Sequence, residues 1–277
     1  MRTLSFAKGH GTLNDFIVTV DRHDNRPLSA EDVRLLCDRR AGIGADGVLR
    51  AVVAKEIPDW GGDPAIWFMD YRNADGSIAE MCGNGTRVFG RYLLDNDLVS
   101  GREVEIGTRA GVRRLTFHSD GSISTAMGPV TIADEPVQVA LNHGAATFDA
   151  SKVDVGNPHA VVLLGPDDDL NALDLTQPPV WTPPEAFPHG VNVEFVQRID
   201  DDHLAMRVYE RGAGETMSCG TGVVASASAH ARAHGSGSGH IRVDVAGGVL
   251  SVDLTGDEAV LRGPAVIVGR GEFLLPD

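Results

Sequence analysis

The stretch Met81-Cys82-Gly83-Asn84-Gly85-Thr86-Arg87 has a near copy 137 residues later, Ser218-Cys219-Gly220-Thr221-Gly222-Val223-Val224. The similarity continues downstream, because Gly111-Val112 and Gly248-Val249 each follow their cysteine by 29 residues. The offset between the copies is about half of the 277-residue chain. The sequence therefore predicts two similar lobes, each of which carries one of the two thiols.

The residues after each cysteine predict a buried helix. Val88, Phe89 and Leu93 recur at helical spacing after Cys82. Residues 223–229 are small and apolar on all sides, which is typical of a fully enclosed helix. Short strands are predicted after the two helices at 103–107, 112–117, 122–126, 241–245, 249–254 and 258–262. Each lobe is thus expected to consist of strands around one buried helix.

Other segments complete this α+β pattern. Ser29 is a plausible N-cap for a helix at 29–40. The stretch 165–190 is rich in Pro and Asp and is predicted to be a surface excursion, and residues 234–240 are predicted to be a flexible loop. Further strands are predicted at 4–6, 16–20 and 66–71.

Composition excludes several classes of function. The 24 basic residues against 39 acidic ones give a net charge of −15, which disfavours nucleic-acid binding. No run approaches about 18 consecutive apolar residues, so we expect no membrane span. The N-terminus lacks the pattern of a signal peptide, and three cysteines are an odd number for a disulfide framework. We therefore expect a cytoplasmic protein with reduced thiols.

A thiol at a helix N-terminus has a specific chemical setting. The free backbone N–H groups there carry about half a positive charge, which lowers the pKa of a thiol and attracts a carboxylate. Glycines 83, 85, 220 and 222 allow a ligand to approach the backbone closely. Two opposed thiols are suited to removing a proton from one face of a carbon and returning a proton to the other, while the amides stabilise the enolate-like charge.

Other interpretations are weaker. Cys37 lies within an amphipathic helix and is expected to be a buried structural thiol. The glycine-rich loops lack the Gly-Lys-Ser/Thr ending of a phosphate-binding loop, and neither Cys82 nor Cys219 has a second ligand at metal-binding spacing, so no metal is expected. A cysteine hydrolase needs one nucleophile and a base rather than two equivalent thiols, and a dithiol redox protein would normally carry Cys-x-x-Cys.

Motifs along nearly the whole chain resemble those of the diaminopimelate epimerase family. They are Lys8-Gly9-His10-Gly11-Thr12-Leu13-Asn14-Asp15-Phe16, Gly42-Ile43-Gly44-Ala45-Asp46-Gly47, Asn73-Ala74-Asp75-Gly76-Ser77, the Cys82 stretch, Gly156-Asn157-Pro158-His159, Gly190-Val191-Asn192-Val193-Glu194-Phe195, Tyr209-Glu210-Arg211-Gly212-Ala213-Gly214-Glu215-Thr216, and the Cys219 stretch. Two positions depart from the family pattern. Gly47 stands where many members have Gln, and Thr12-Leu13 stands where Leu-Gly is common.

The resemblance implies a fold and a reaction. The fold has two pseudo-symmetric lobes, residues 1–128 with about 265–277 and residues 129–264, each a mixed, barrel-like sheet around a central helix. The active site is expected in the cleft between the lobes. The reaction is the cofactor-independent conversion of LL-2,6-diaminopimelate to the meso isomer, a step in lysine and cell-wall precursor synthesis. The small-molecule substrate is the expected partner, and the oligomeric state is left open, with a homodimer as one alternative.

The resemblance also implies roles for individual residues. Cys82 and Cys219 are the expected thiol pair, with Glu210 and His159 as polar partners at the reacting centre. The expected substrate ligands are Asn14, Asn73, Asn157, Asn192, Glu210 and Arg211, with Gly83, Asn84, Gly220 and Thr221 at the helix ends. Taken singly, an Asn is more often a turn former. His159 could instead cap backbone groups.

The nearest rival is a related racemase or epimerase acting on proline or hydroxyproline with the same two thiols. Arg211 and the asparagines favour a second amino-acid head group on the substrate, which argues against proline.

Overall fold

The computed structural model describes residues 2–141, 146–235, 239–256 and 258–276. The chain divides into two compact units, Met1–Thr125 with Gly263–Asp277, and Ala126–Arg262.

The first unit is built on a mixed sheet. Its strands are β1 (Arg2–Gly11), β2 (Asn14–Val20), β3 (Gly47–Val53), β4 (Trp67–Asn73), β5 (Glu103–Thr108), β6 (Gly111–Phe117), β7 (Ile123–Gly128) and β19 (Val266–Leu275). The order is β19-β1-β2-β3-β4-β5-β6-β7. The pairs β2–β3 and β4–β5 are parallel, and the others are antiparallel. The last strand thus returns to pair with the first.

The second unit has a mixed sheet of its own. Its strands are β8 (Thr131–Ile132), β9 (Val137–Leu141), β10 (Ala146–Asp154), β11 (Pro158–Leu163), β12 (Val180–Thr182), β13 (Asn192–Asp200), β14 (His203–Glu210), β15 (Gly214–Thr216), β16 (His240–Val245), β17 (Gly248–Asp253) and β18 (Ala259–Gly263). Its main order is β10-β11-β13-β14-β16-β17-β18, with β11–β13 and β14–β16 parallel. The strands β8 and β9 pair with β10, β12 pairs with β9, and β15 pairs with β14.

The two units share one sequence of strand pairings. From β1 to β7 and from β10 to β18 along these orders, the pairs are antiparallel, parallel, antiparallel, parallel, antiparallel and antiparallel. In each unit the second parallel crossover carries the helix that follows the cysteine. The predicted internal repeat is therefore confirmed at the level of strand order.

The helices of these crossovers are α2 (Gly83–Asp95) and α3 (Gly220–Ala233). The first eight residues of α2 and the first twelve of α3 are all buried. Helix α2 packs against β1–β4 and β6, and α3 packs against β10, β11, β13, β14, β16 and β17. Parallel strands require a crossover, and burial of these helices against the sheet provides much of the core.

A third helix, α1 (Ala30–Cys37), lies in the first parallel crossover of the first unit. Ser29 is its N-cap as predicted, and it forms a capping box with Asp32. The helix ends at Cys37 rather than at residue 40, because the chain becomes extended at Asp38. Val33 and Leu36 pack with Ile17 and other core residues.

The prediction for 165–190 was wrong in one respect. This stretch runs along the first parallel crossover of the second unit, where α1 lies in the first. It contains two short 3-10 helices, Leu170–Ala172 and Pro184–Ala186, and strand β12. Leu170, Leu175 and Phe187 are buried in a core with Phe195. Pro and Asp correctly indicated loops, but the scattered apolar residues cover the sheet.

The predicted loop at 234–240 is only partly visible, because residues 236–238 lie outside the described residues. Strand β16 already begins at His240. Within the described part of the chain, no helix is long and apolar enough to cross a membrane.

Candidate active site

Cys82 is the N-cap residue of α2. Its sulfur accepts a hydrogen bond from the backbone N–H of Gly85 at 3.4 Å. The thiol also lies 3.6 Å from Asn14 Oδ1, to which it donates. Asn84 Nδ2 donates to the same oxygen at 3.2 Å. The beginning of α2 thus brings together Cys82, Asn84 and Asn14, all three of them predicted site residues.

Arg87 lies one turn into α2 and is fully buried. Its guanidinium donates to Gly83 O at 2.9 Å and to Asn84 Oδ1 at 2.7 Å. Burial lowers the pKa of Arg87 to about 10, and the charge of the Cys82 thiolate opposes that shift. The side chain therefore stays cationic near neutral pH. A buried cation next to a thiol favours the thiolate.

Asn14 is held from its other side by a carboxylate. Its Nδ2 donates to Asp46 Oδ2 at 2.8 Å, so its Oδ1 is turned toward Cys82. Asp46 also accepts from Arg39 at 2.8 Å. The Gly-x-Gly-x-Asp motif thereby fixes the orientation of a predicted substrate ligand.

Asn73 and Gly47 face each other across β3 and β4. Asn73 Nδ2 donates to Ser77 Oγ at 3.0 Å, and its backbone N–H donates to Ser77 O, which are turn-forming contacts. A Cβ at Gly47 would lie 2.6 Å from Arg72 O and 2.7 Å from the Tyr71 ring. A longer residue therefore does not fit at Gly47 unless these strands move.

Cys219 is the N-cap residue of α3 and is buried. Its sulfur lies 3.4 Å from Thr221 Oγ1. Thr221 accepts from Asn157 Nδ2 at 3.3 Å, and Asn157 Oδ1 lies 3.0 Å from His159 Nε2. The structure thus joins Cys219, Thr221, Asn157 and His159, all predicted site residues, in one chain of contacts.

Glu210, at the end of β14, forms a hydrogen bond with the Cys219 thiol. Its Oε1 accepts a short hydrogen bond from the Thr216 hydroxyl. Burial raises the pKa of Glu210 above its usual range, and these hydrogen bonds only partly offset that effect. A buried carboxyl with a raised pKa beside a thiol is typical of a functional site.

The expected lowering of the thiol pKa was wrong for Cys219. Burial raises its pKa well above the usual value, and the charges of Glu210 and Glu194 raise it further. The hydrogen bond from Thr221 only partly opposes them. The field of one helix end is outweighed by desolvation and two carboxylates, so Cys219 rests as a protonated thiol.

Asn192 and Arg211 meet through the backbone. Asn192 Oδ1 accepts from the Arg211 N–H at 2.9 Å. The Arg211 guanidinium is at the surface and donates to His189 O at 3.3 Å. Its side chain lies over Gly190, whose φ is +85° and whose missing Cβ would come within 2.9 Å of Arg211 Cδ. The backbone of Arg211 is thus held by Asn192, while its guanidinium lies at the surface.

Cys37 forms none of the hydrogen bonds described above. It is buried at the end of α1 among apolar side chains, and burial raises its pKa to about 11. Among the described residues, no group of three or more His, Cys, Asp and Glu side chains could hold a metal ion.

Comparison with known proteins identifies the family. The model of the family described as "Diaminopimelate epimerase" matches residues 6–133 and 151–268. A diaminopimelate epimerase of Rhodococcus opacus is 49% identical over 287 residues, which cover 98% of this chain and 97% of that protein. One of Corynebacterium glutamicum is 46% identical, with 98% of each chain covered. This chain belongs to the diaminopimelate epimerase family.

Solved structures show how widely the fold of this family is shared. A hydroxyproline epimerase from Agrobacterium vitis matches with a TM-score of 0.69 and covers 100% of this chain and 94% of its own, at 16% identity. A phenazine biosynthesis protein from Bacillus anthracis also matches with a TM-score of 0.69, at 16% identity, covering 99% and 100%. At this identity the likeness establishes the fold alone.

Two further residues lie beside the predicted site residues, and the sequence motifs did not assign either of them a role. Glu194 is fully buried and lies 2.7 Å from His159 Nδ1. The sequence pattern of β13 could have indicated this residue. Polar and apolar residues alternate there, so that Asn192 and Glu194 share one face and Val193 and Phe195 share the other. Arg87 belongs to the cysteine motif, and a charged residue in the first turn of an enclosed helix is unusual, because such residues are rarely fully buried unless they have partners.

Proposed function

We propose that this chain epimerises LL-2,6-diaminopimelate to the meso isomer by proton transfer at one α-carbon. The observation that carries the proposal is the full-length similarity to diaminopimelate epimerases, at 46–49% identity. The site supports it, because both matched cysteines cap buried helices in equivalent crossovers of a repeated fold. The enzyme is thus an isomerase of lysine and cell-wall precursor synthesis. We place it in the cytoplasm, where its thiols stay reduced.

The reaction uses one thiolate and one thiol. A thiolate sulfur takes the α-proton, and the electron pair of the C–H bond passes into the substrate carboxylate as an enolate. The other thiol gives its proton to the opposite face of the carbon, so the two sulfurs exchange protonation states. The proposal requires Cys82 and Cys219 to reach opposite faces of one carbon. Both protons travel on sulfur, and no cofactor enters the scheme.

The backbone stabilises the charge that develops. The backbone N–H groups of Gly83, Asn84, Gly220 and Thr221 lie at helix N-termini, where a carboxylate is stabilised. The enolate places more charge on the same oxygens than the substrate does, so these contacts strengthen in the transition state. We assign Asn14, Asn73, Asn157, Asn192, Glu210 and Arg211 to the rest of the substrate, with His159 and Glu210 beside the Cys219 thiol.

Isotope exchange tests the function directly. Incubation of LL-diaminopimelate in D2O should yield the meso isomer with deuterium at one α-carbon, measured by NMR and chiral chromatography. L-proline and trans-4-hydroxy-L-proline are the matched controls, and neither should exchange. Exchange with an imino acid and none with diaminopimelate would assign the chain to the activity of its structural neighbour instead.

A further inference from the structure

Glu194 is a buried carboxyl group to which the mechanism above gives no task. It lies on β13, which runs parallel to β11, and its Oε1 is 2.7 Å from His159 Nδ1. Both side chains are completely inaccessible to solvent. Its Oε2 is buried and has no hydrogen-bond partner among the described residues.

This position is energetically unfavourable for a carboxyl with a structural role only. A buried polar atom without a hydrogen-bond partner destabilises the fold, and an apolar side chain of similar shape would avoid that cost. The helix also makes room for it, because a Cβ on Gly222 would lie 2.5 Å from Glu194 Oε1. The glycine in the first turn of α3 therefore lets the carboxyl lie against the helix that carries Cys219.

The direction of each hydrogen bond follows from the chemistry of the groups. Asn157 donates to Thr221 through Nδ2, so its Oδ1 faces His159 and can only accept. His159 Nε2 must therefore carry a hydrogen. The other ring nitrogen, Nδ1, then shares a single proton with Glu194 Oε1, whichever of the two atoms holds it.

The Thr221 hydroxyl connects these hydrogen bonds to the Cys219 sulfur. Because the lone pairs of Thr221 Oγ1 accept from Asn157, its own hydrogen is free to point at Cys219 Sγ, 3.4 Å away. A hydroxyl that donates to sulfur stabilises the thiolate that forms when Cys219 gives up its proton. The orientation of that hydroxyl therefore depends on the hydrogen bonds of Asn157, His159 and Glu194.

We propose that Glu194 is a positioning residue of this site: by fixing the tautomer and ring orientation of His159, it orients Asn157 and turns the Thr221 hydroxyl toward the Cys219 sulfur. The inference rests on the proposed function for its kinetic consequences. Its geometric part concerns His159 and is independent of turnover.

The first test compares Glu194→Met with Glu194→Gln. Methionine keeps the length of the side chain and removes the partner of His159 Nδ1, so kcat should fall about 100-fold, as expected for a misplaced catalytic group. KM should rise less than kcat falls, because Asn157 loses its orientation while Asn192 and Arg211 keep their contacts. The glutamine amide can donate to Nδ1 and preserve the Nε2–H tautomer, so Glu194→Gln should stay within about tenfold of wild type.

The second test reads the His159 ring itself. In protein with 15N-labelled histidine rings, the signal that disappears in His159→Gln belongs to His159. Wild type and Glu194→Gln should show one fixed Nε2–H state, and Glu194→Met should show exchange between tautomers. Glu215→Gln is the matched control, since that carboxylate pairs with Arg207 near the same loop at the surface, and it should change neither the spectrum nor kcat.

A double-mutant cycle completes the experiment. Thr221→Val removes the last link of the chain, so the double variant with Glu194→Met should lose no more kcat than the worse single variant. Three results would overturn the proposal: multiplicative losses, an unchanged His159 signal in Glu194→Met, or a Glu194→Gln variant as impaired as Glu194→Met. Failure of the proposed function would instead show in wild type, as absence of deuterium exchange with diaminopimelate.

Discussion

Cys82 and Cys219 occupy equivalent positions in the repeat, yet their electrostatic surroundings are opposite. Cys82 lies near the buried guanidinium of Arg87 and donates to the neutral amide of Asn14. Cys219 is buried beside the carboxyl groups of Glu210 and Glu194. At the offset of 137 residues, the counterpart of Arg87 is the apolar Val224.

The two units therefore share their backbone architecture but differ in the charged residues around the cysteine. Strand order, crossover and helix N-cap are the same in both units, so each places a thiol at a helix end. A reaction that needs one base and one acid nevertheless requires the two thiols to differ in protonation. The cation near Cys82 favours a thiolate, and the anions near Cys219 favour a thiol. Under the proposed mechanism, Cys82 first loses the proton that it donates to Asn14 and then acts as the base, while Cys219 acts as the acid.

The largest effect should come from removing either sulfur. Cys82→Ala and Cys219→Ala should each lower epimerisation at least about 1,000-fold, because one face of the carbon then lacks its acid or base. Cys37→Ala is the control and should keep wild-type turnover, as expected for a thiol that only packs. Chiral chromatography of the product measures all three. Substantial inversion by either active-site variant would show that the two thiols are not a functional pair.

Arg87→Met tests the electrostatic half of the comparison. Loss of the buried cation should make the Cys82 thiolate less favourable, and kcat/KM should fall about 100-fold. In a Cys37→Ala, Cys219→Ala background, alkylation of Cys82 by iodoacetamide should slow correspondingly. Arg91→Met is the matched control, because Arg91 lies one turn further along α2 in a surface pair with Asp95. Equal alkylation rates in the Arg87 and Arg91 variants would remove Arg87 from this role.

The sequence predicted the scaffold better than it predicted these charges. The repeat, both cysteine helices and the strands after them follow from local periodicity and turn residues, which act over short distances. The buried roles of Arg87 and Glu194 depend on which groups the folded sheet places around them, and local pattern does not contain that information. The cover formed by Leu170, Leu175 and Phe187 was missed for the same reason, because isolated apolar residues in a Pro-rich stretch have no period.

Glu210→Gln should change the titration of Cys219. Burial and the Glu210 charge both raise the pKa of this thiol, so removing the charge should lower that pKa. Ultraviolet absorbance of the thiolate, in a Cys37→Ala, Cys82→Ala background, reports the shift without turnover. Glu215→Gln should leave the titration unchanged. A Cys219 pKa that rises in Glu210→Gln would show that the charge of Glu210 does not govern the titration of this thiol.

The smallest effect separates two glycines at matched positions in the first turns of the helices, Gly85 and Gly222. A Cβ on Gly85 would make ordinary contacts at 3.4 Å with Cys82 Cβ and Leu49 Cδ2, so Gly85→Ala should raise the free energy of unfolding by roughly 0.5 kcal/mol through helix propensity. A Cβ on Gly222 would collide with Glu194, so Gly222→Ala should lower it by roughly 1–3 kcal/mol. Urea denaturation of both single variants measures this difference in stability.

Two double variants test whether the collision with Glu194 is the cause. The double variant with Gly222→Ala and Glu194→Gln should stay destabilised, because the amide occupies the same space. The double variant with Gly222→Ala and Glu194→Ala should recover part of the lost stability, because the collision is removed. Equal stabilities of the two single variants would show that Glu194 does not require the absence of a side chain at position 222.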